Sequence, residues 1–408
     1  MISPNADKFY RQVLPNGLTL IFEKRQQPVV SIYTAIKFGS GHESIKLKGL
    51  AHFIEHAVFK ATKTRDAKQI TSTIEKVGGD INAFTAEEFT AFYTKLRSKH
   101  FNLGVDILGD LAMNPLFAKK DLDMEKKAII EEIKMYHDNP MYYVTNKLKE
   151  FLFSPPFGLS ALGTAAMIQK MTRATLQKYH SIYYNPSNIV ISIVGNTDVD
   201  KIWNLSKHDF FKKQVQKQIQ GTEIKPIPGN FDKVIEKRKS IDQAHICLGF
   251  NMPSISSKDR YAAEVFNTIL GSGMSSRLFQ EIREKRGLAY AIRSTLEQEK
   301  NYGYCAVYAG TEKKKVKEVR EMILKEVDKF KELDQKEFDD AKEQLIGQHQ
   351  LQDEKSDKVA LSLLYEELNG TVKEYYNYED KITEVKLEDV RKLAELKNYA
   401  LIALVPDK

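Results

Sequence analysis

An α+β protein made of two homologous α/β domains from an internal duplication is the fold this sequence predicts. Three observations carry that expectation. At 408 residues the chain exceeds one ordinary core, so two domains of about 200 residues each are the natural division. Stretches with the period of strands and of helices follow one another in both halves. The halves also end alike. In the first, a helical stretch at 172–183 leads through Asn185-Pro186 to the apolar run Asn188-Ile-Val-Ile-Ser-Ile-Val-Gly195. In the second, 386–396 leads to Tyr399-Ala-Leu-Ile-Ala-Leu-Val-Pro406. Aligning Val194 with Val405 sets the repeat at 405 − 194 = 211 residues, far longer than a solenoid unit.

The first half opens at 10–24, where Asn16-Gly17 between alternating apolar stretches signals a hairpin. A strand at 29–38 runs into Gly39-Ser40-Gly41. An amphipathic helix follows over 47–61, then another over 67–77 that stops at Gly78-Gly79. Residues 80–96 alternate like strands, with Ala86-Glu87-Glu88 as the turn. Helices cover 101–113 and 119–136, and 188–195 closes the half as a buried strand. In the second half strands fill 244–251 and 291–310, with helices at 259–270 and 275–284 between them. Longer helices span 315–333, 335–351 and 358–368. The joint is the polar, strand-poor stretch 214–230 with Pro226, Pro228 and Gly229. This puts a first domain at 1–215, a linker at 216–229 and a second domain at 230–408.

Composition is that of a soluble globular chain, 42% hydrophobic and 29% charged. The formal charge of +7 is a small surplus of 62 basic over 55 acidic residues. Its runs, Lys313-Lys314-Lys315 and 233–239, lack interleaved aromatics and read as solvated faces, so no nucleic-acid partner is expected. The longest apolar runs have strand length and cannot span a bilayer, and Met1–Asp7 shows no secretory pattern. Cys247 and Cys305 have no metal spacing and read as small core residues without a disulfide. A reducing, cytoplasmic setting without membrane association fits these features.

The strongest chemical signal is His52-Phe-Ile-Glu55-His56. On a helix, residues four apart share one face, so both imidazoles can reach one ion of tetrahedral preference. Glu55 flanks them, close enough to take a proton from a metal-held water. A third ligand has to come from elsewhere in the chain, because a catalytic zinc keeps three protein ligands and one open position. The helix at 119–136 offers Glu125, Glu131 and Glu132. Glu132 has Ala128, Ile129, Met135 and Tyr136 at helical spacing, whereas Glu131 has Lys127 and Lys134. A carboxylate in an apolar stripe is costly unless it is paired or bound to metal. The residues alone therefore leave Glu132 as either a metal ligand or a buried glutamate paired with a lysine. Glu125 lies two turns earlier on the same face, in a supporting place.

On these motifs the chain resembles the pitrilysin family of zinc metallopeptidases, whose two-domain members include processing peptidases. In that family a ligand glutamate follows the His-x-x-Glu-His motif at a long spacing, with an acidic residue seven positions before it. Here Glu132 lies 132 − 56 = 76 residues after His56, and Glu125 fills the earlier position. The resemblance implies one zinc per chain on His52, His56 and Glu132, with Glu55 as general base and Glu125 supporting the ligands. Gly79-Asp-Ile-Asn82-Ala83-Phe84-Thr85 is similar to the family's edge strand, which captures substrate by strand addition. It is short, polar and preceded by a double glycine, as a free edge would be. By itself Asn82 would be an ordinary strand-end residue. The stretch from Gly271 through Arg283 to Tyr290 resembles the family's glycine-rich loop and Arg/Tyr pair, again seven apart. Alone, Arg283 would be an ion-pair partner of a neighbouring glutamate. The resemblance covers essentially the whole chain. It implies mixed, mainly antiparallel sheets packed with helices, and an endopeptidase acting on flexible peptides or unfolded segments. The Arg/Tyr pair would approach the metal and stabilise the oxyanion. Because one chain carries both motif sets, a homodimer is the simplest assembly. A non-catalytic zinc-containing subunit and a peptide-binding module are the rival readings.

Overall fold

The computed structural model describes residues 8–203, 205, 224–370, 372–396 and 398–407. Residues 1–7 and the linker residues 216–223 lie outside them. In the first half, strands β1 (Phe9–Val13) and β2 (Thr19–Lys24) form the expected hairpin, with Phe9 opposite Glu23 and Val13 opposite Thr19. Strands β3 (Val29–Ile36), β4 (Asp80–Thr85), β5 (Thr90–Arg97) and β6 (Ile189–Gly195) complete a six-stranded sheet, ordered β1-β2-β6-β3-β5-β4. Only β2 and β6 run parallel. In the second half, β7 (Lys233–Arg238), β8 (Ala244–Asn251), β9 (Ala289–Glu299), β10 (Tyr302–Thr311) and β11 (Ala400–Pro406) form a sheet ordered β7-β11-β8-β10-β9.

The two sheets repeat one topology. Strands β2-β6-β3-β5-β4 and β7-β11-β8-β10-β9 correspond one to one, and in each only the first pair is parallel. Shifting Ile189–Gly195 by 211 residues lands on Ala400–Pro406, strand on strand. The mixed, mainly antiparallel α+β architecture and the duplication are thus present as predicted.

Two local expectations are corrected. The charge run at 233–239 is not merely a solvated face, because it contains strand β7, parallel to β11 at the edge of its sheet. Its charges hide a period of two: Val234, Glu236 and Arg238 are half-buried while Lys233, Ile235 and Lys237 are exposed. Tyr143 Oη donates to Glu236 Oε2 at 2.6 Å, which accommodates a charge on the inner side. The helix expected at 275–284 is present over 277–284, but most of it, Phe279–Glu284, is π-helical.

The compact units also depart from the contiguous division 1–215 and 230–408. One comprises Met1–Ile133, Ser160–Ile224 and Leu351–Asn377, the other Lys134–Leu159, Lys225–Gln350 and Tyr378–Lys408. Sheets follow the halves of the sequence, but helices are exchanged. In the first unit β6 is buried on both faces. Ile189, Ile191 and Ile193 enter one core, while Val190 and Val194 enter a second core with Val359, Leu363, Leu364 and Tyr376. The helix Ser356–Asn369 covers that second face, with Ser192 Oγ donating to the Ala360 carbonyl at 2.8 Å. In the second unit the covering helix comes from the first half of the sequence: Pro140–Leu152 packs on β8 and β11. Periodicity marks which side of a helix is buried, but any apolar sheet face can receive it.

Candidate metal centre

The first unit carries the helices α1 (Leu50–Val58), α2 (Ala67–Glu75) and α3 (Phe101–Met113), and α4 (Lys119–Asp138) up to Ile133. Helix α1 is short and almost wholly buried, with His56 its one half-buried residue. Phe53, Ile54, Ala57 and Val58 anchor it in the core. Its N-terminus begins at Gly49, in a left-handed conformation (φ +92°) that a side chain would strain. The buried Glu43 carboxylate accepts from the backbone N–H groups of Gly49 (3.0 Å) and Ala51 (2.6 Å), replacing the helix's missing partners. Lys48, also buried, lies 3.9 Å from Glu43 and donates to the Ser40 carbonyl at 2.6 Å. Helix position is thus set before any ligand is considered.

His52 and His56, one turn apart, bring their Nε2 atoms to 3.2 Å. Glu132, on α4, places Oε2 3.7 Å from His52 Nε2 and 3.4 Å from His56 Nε2. These residues form a cluster whose ligand atoms lie within 4.8 Å of one another. An ion with bonds of ~2.1 Å and tetrahedral angles requires ligand atoms about 3.4 Å apart, the middle of the observed distances. The donor chemistry agrees. Burial, reinforced by the neighbouring His56 charge, pushes His52 down to about 3, so its imidazole is neutral at physiological pH. His56 Nδ1 lies 3.0 Å from Glu125 Oε1 and donates to it, which leaves the Nε2 lone pair facing the cluster. Burial lowers His56, but the hydrogen bond to Glu125 and the charges of Glu55, Glu132 and Glu125 outweigh it and raise it, so a positive charge is favoured here, and a divalent cation on Nε2 would supply that charge in place of a proton. The residues fit zinc.

Glu125 is buried beside His56, and its Oε2 accepts from Lys60 Nζ at 2.5 Å. Burial pushes its carboxyl up, but the hydrogen bonds from His56 and Lys60 outweigh it and hold Glu125 below the usual carboxylate range. Glu132 is raised, by burial first. Glu55 is likewise raised by burial, against the opposing hydrogen bond from Thr85. Glu55 Oε2 accepts from Thr85 Oγ1 at 2.5 Å. Thr85 ends β4, the outermost strand of its sheet. On that strand Asn82 is exposed and its Oδ1 accepts from the Ala83 N–H at 2.8 Å. Ala83 packs toward the main core and Phe84 toward the core under Ser356–Asn369.

Arg283 and Tyr290 lie in the second unit. Arg283 stacks on Phe279, its guanidinium carbon 4.7 Å from the ring centre, and lies 3.8 Å from Glu284. Tyr290 is the second residue of β9, where the register against β10 shifts between Gly310 and Thr311. Its ring lies across Gly310: a Cβ there would sit 2.3 Å from Tyr290 Cζ. Beside it, Tyr308 Oη and His245 Nδ1 are hydrogen-bonded at 2.8 Å.

Lys60, Glu43 and the Thr85–Glu55 bond were not read from the sequence. Lys60 had a signal, standing four residues after His56 and continuing the ligand face past the helix end.

Comparison with known proteins gives the family of the chain. The family described as insulinase (peptidase family M16) matches residues 19–165, and the peptidase M16 inactive domain matches 170–345. An uncharacterized zinc protease of Bacillus subtilis is 32% identical over 410 residues, covering 97% of this chain and 98% of its own. This chain belongs to peptidase family M16. An uncharacterized zinc protease of Mycobacterium leprae is 36% identical over 306 residues, 73% of this chain and 68% of its own. The crystal structure of a protease from Helicobacter pylori superposes on this M16 chain with a TM-score of 0.92 at 22% identity. That match covers 98% of this chain and all of the other. An M16 inactive domain from Pseudomonas fluorescens gives 0.86 at 19% identity, covering 98% of each, so the whole two-sheet fold is shared.

Proposed function

We propose that this M16 chain is a zinc-dependent endopeptidase that hydrolyses flexible peptides or unfolded polypeptide segments. The observation that carries the reading is the convergence of His52 Nε2, His56 Nε2 and Glu132 Oε2 beside a carboxylate, Glu55, on the same short helix. Zinc, when bound, supplies a water acidified to a pKa of about 7 and polarises the scissile carbonyl. His56 is oriented for its task by Glu125, which holds the Nδ1 proton. Glu55 is the general base. Burial raises its carboxyl toward the working pH, where a base is most effective. Thr85 occupies its Oε2, so Oε1 is the atom left to take the proton and return it to the leaving amine. The free edge of β4, with Asn82 to Thr85, accepts an extended peptide as an added strand. Arg283 and Tyr290 are assigned to the substrate carbonyl on the family likeness. Both motif sets reside on one chain, so a second copy of itself is the partner we expect.

One finding favours a rival, a zinc-containing subunit or peptide-binding module without turnover: the inactive-domain match over 170–345. That match covers the segment after the metal residues, all of which fall within 19–165. The deciding experiment is mass-spectrometric analysis of a mixed peptide digest with zinc-loaded wild type, with wild type plus chelator, and with Glu55→Gln. We expect cleavage by the first alone, with Glu55→Gln retaining stoichiometric zinc. Intact peptides with the zinc-loaded wild type would overturn the peptidase reading in favour of the rival.

A further inference from the structure

The sheet edge and the proposed base are joined by one side chain. Strand alternation places Ile81, Ala83 and Thr85 on the same face of β4. Ile81 and Ala83 pack against the core that holds α1, and Phe84 packs on the opposite side. The hydroxyl at the end of that row therefore points toward α1, where Glu55 Oε2 lies 2.5 Å away. Thr90, paired with Thr85 across β4 and β5, gives its own hydroxyl proton to the Phe38 carbonyl at 2.9 Å. Its oxygen is 3.5 Å from Thr85 Oγ1, too long to compete for the Thr85 proton. Among the described residues, Thr85 is the one hydrogen-bond donor to the Glu55 carboxylate. Glu55 is buried, and a buried carboxylate deprived of its donor carries the full cost of desolvation.

We propose that Thr85 is a positioning residue that fixes the Glu55 carboxylate, so that the strand offering its edge to a peptide also sets the group that acts on it. A guest strand paired to β4 fixes the backbone of Asp80–Thr85, and with it the Thr85 hydroxyl. An extended chain docked on β4 therefore meets a carboxylate already held by the last residue of that strand. The proposal rests on the reading of Glu55 as base, but its structural core can be tested without turnover.

The test compares Thr85→Val, which keeps the shape and removes the hydroxyl, with Thr85→Ser, which keeps the hydroxyl. Crystal structures of the zinc-loaded proteins are expected to show Glu55 displaced in T85V and restored in T85S, with zinc content equal in all. On a cleaved peptide, T85V should lower kcat by about 10- to 100-fold while KM stays within about twofold, since misplacing a reacting group acts on the chemical step. T85S should recover kcat to within about threefold, because it restores the hydroxyl that holds Glu55. An unmoved Glu55 in T85V overturns the proposal whatever the kinetics. So does a raised KM with kcat intact, which would make Thr85 a docking residue only. Failure of wild type to cleave any peptide overturns the peptidase reading instead, and the position of Glu55 in T85V then decides this inference by itself.

Discussion

Removing Glu125 tests how far the metal centre depends on residues that never touch the ion. Its carboxylate has two partners: Oε1 takes the His56 Nδ1 proton at 3.0 Å, and Oε2 takes Lys60 Nζ at 2.5 Å. Without it, His56 has no acceptor to hold the proton on Nδ1. The tautomer with the proton on Nε2, the atom facing Glu132 and His52, is no longer disfavoured. Lys60 also keeps a positive charge beside the site with no counter-charge. Both effects oppose a cation, and loss of such an orienting carboxylate typically costs 10- to 100-fold in metal affinity, about 1.4–2.7 kcal/mol. The two obvious variants should differ. Glu125→Gln retains a carbonyl oxygen for His56 but turns its amide donor toward the Lys60 ammonium, and should fall near tenfold. Glu125→Ala removes both contacts and should approach 100-fold. Competition with a chromophoric zinc chelator measures the affinities directly. The zinc-induced rise in Tm should shrink in the same order, because a ligand stabilises by its saturation of the folded state. If both variants bind zinc within threefold of wild type, the orienting role of Glu125 is refuted.

Two other outcomes follow from the geometry. Gly310→Ala sets a methyl group into the Tyr290 ring and should displace it, lowering kcat about 10- to 100-fold with thermal stability nearly unchanged; an undisturbed ring and rate would remove Tyr290 from the mechanism. Asp110 gives a pH dependence. Burial pushes its carboxyl up, but hydrogen bonds from Thr62, Thr64, Asn114 and Arg65 outweigh it and hold it below the ordinary value. A depressed folded pKa contributes stability above the unfolded value of about 3.9 and loses it as pH falls through the folded value. Asp110→Asn should therefore be destabilised by about 2–4 kcal/mol at pH 7, with the gap narrowing below about pH 4 in denaturant titrations.

What could be read from the residues alone was whatever short-range geometry decides. The helical period puts His52 and His56 on one face and sets Glu125 and Glu132 two turns apart, with no need of tertiary contacts. The matching apolar runs of β6 and β11 exposed the duplication, because a strand buried on both faces is continuous in hydrophobicity. Strand β7 has no legible apolar alternation, because charged Glu236 and Arg238 stand on its half-buried side while Ile235 is exposed, an exchange that the edge of a sheet tolerates. Glu132 does reach the histidines, yet the apolar stripe invoked for it is only partly real. Ile129 is buried, whereas Ala128 and Met135 are exposed. Tertiary structure decided the rest: that Ser356–Asn369 covers the first sheet and Pro140–Leu152 the second, that Lys60 closes the Glu125–His56 pair, and that Thr85 meets Glu55. Each joins positions distant in the chain or on different elements. Which apolar face or which charge meets which is settled by packing a whole core at once, not by any local pattern.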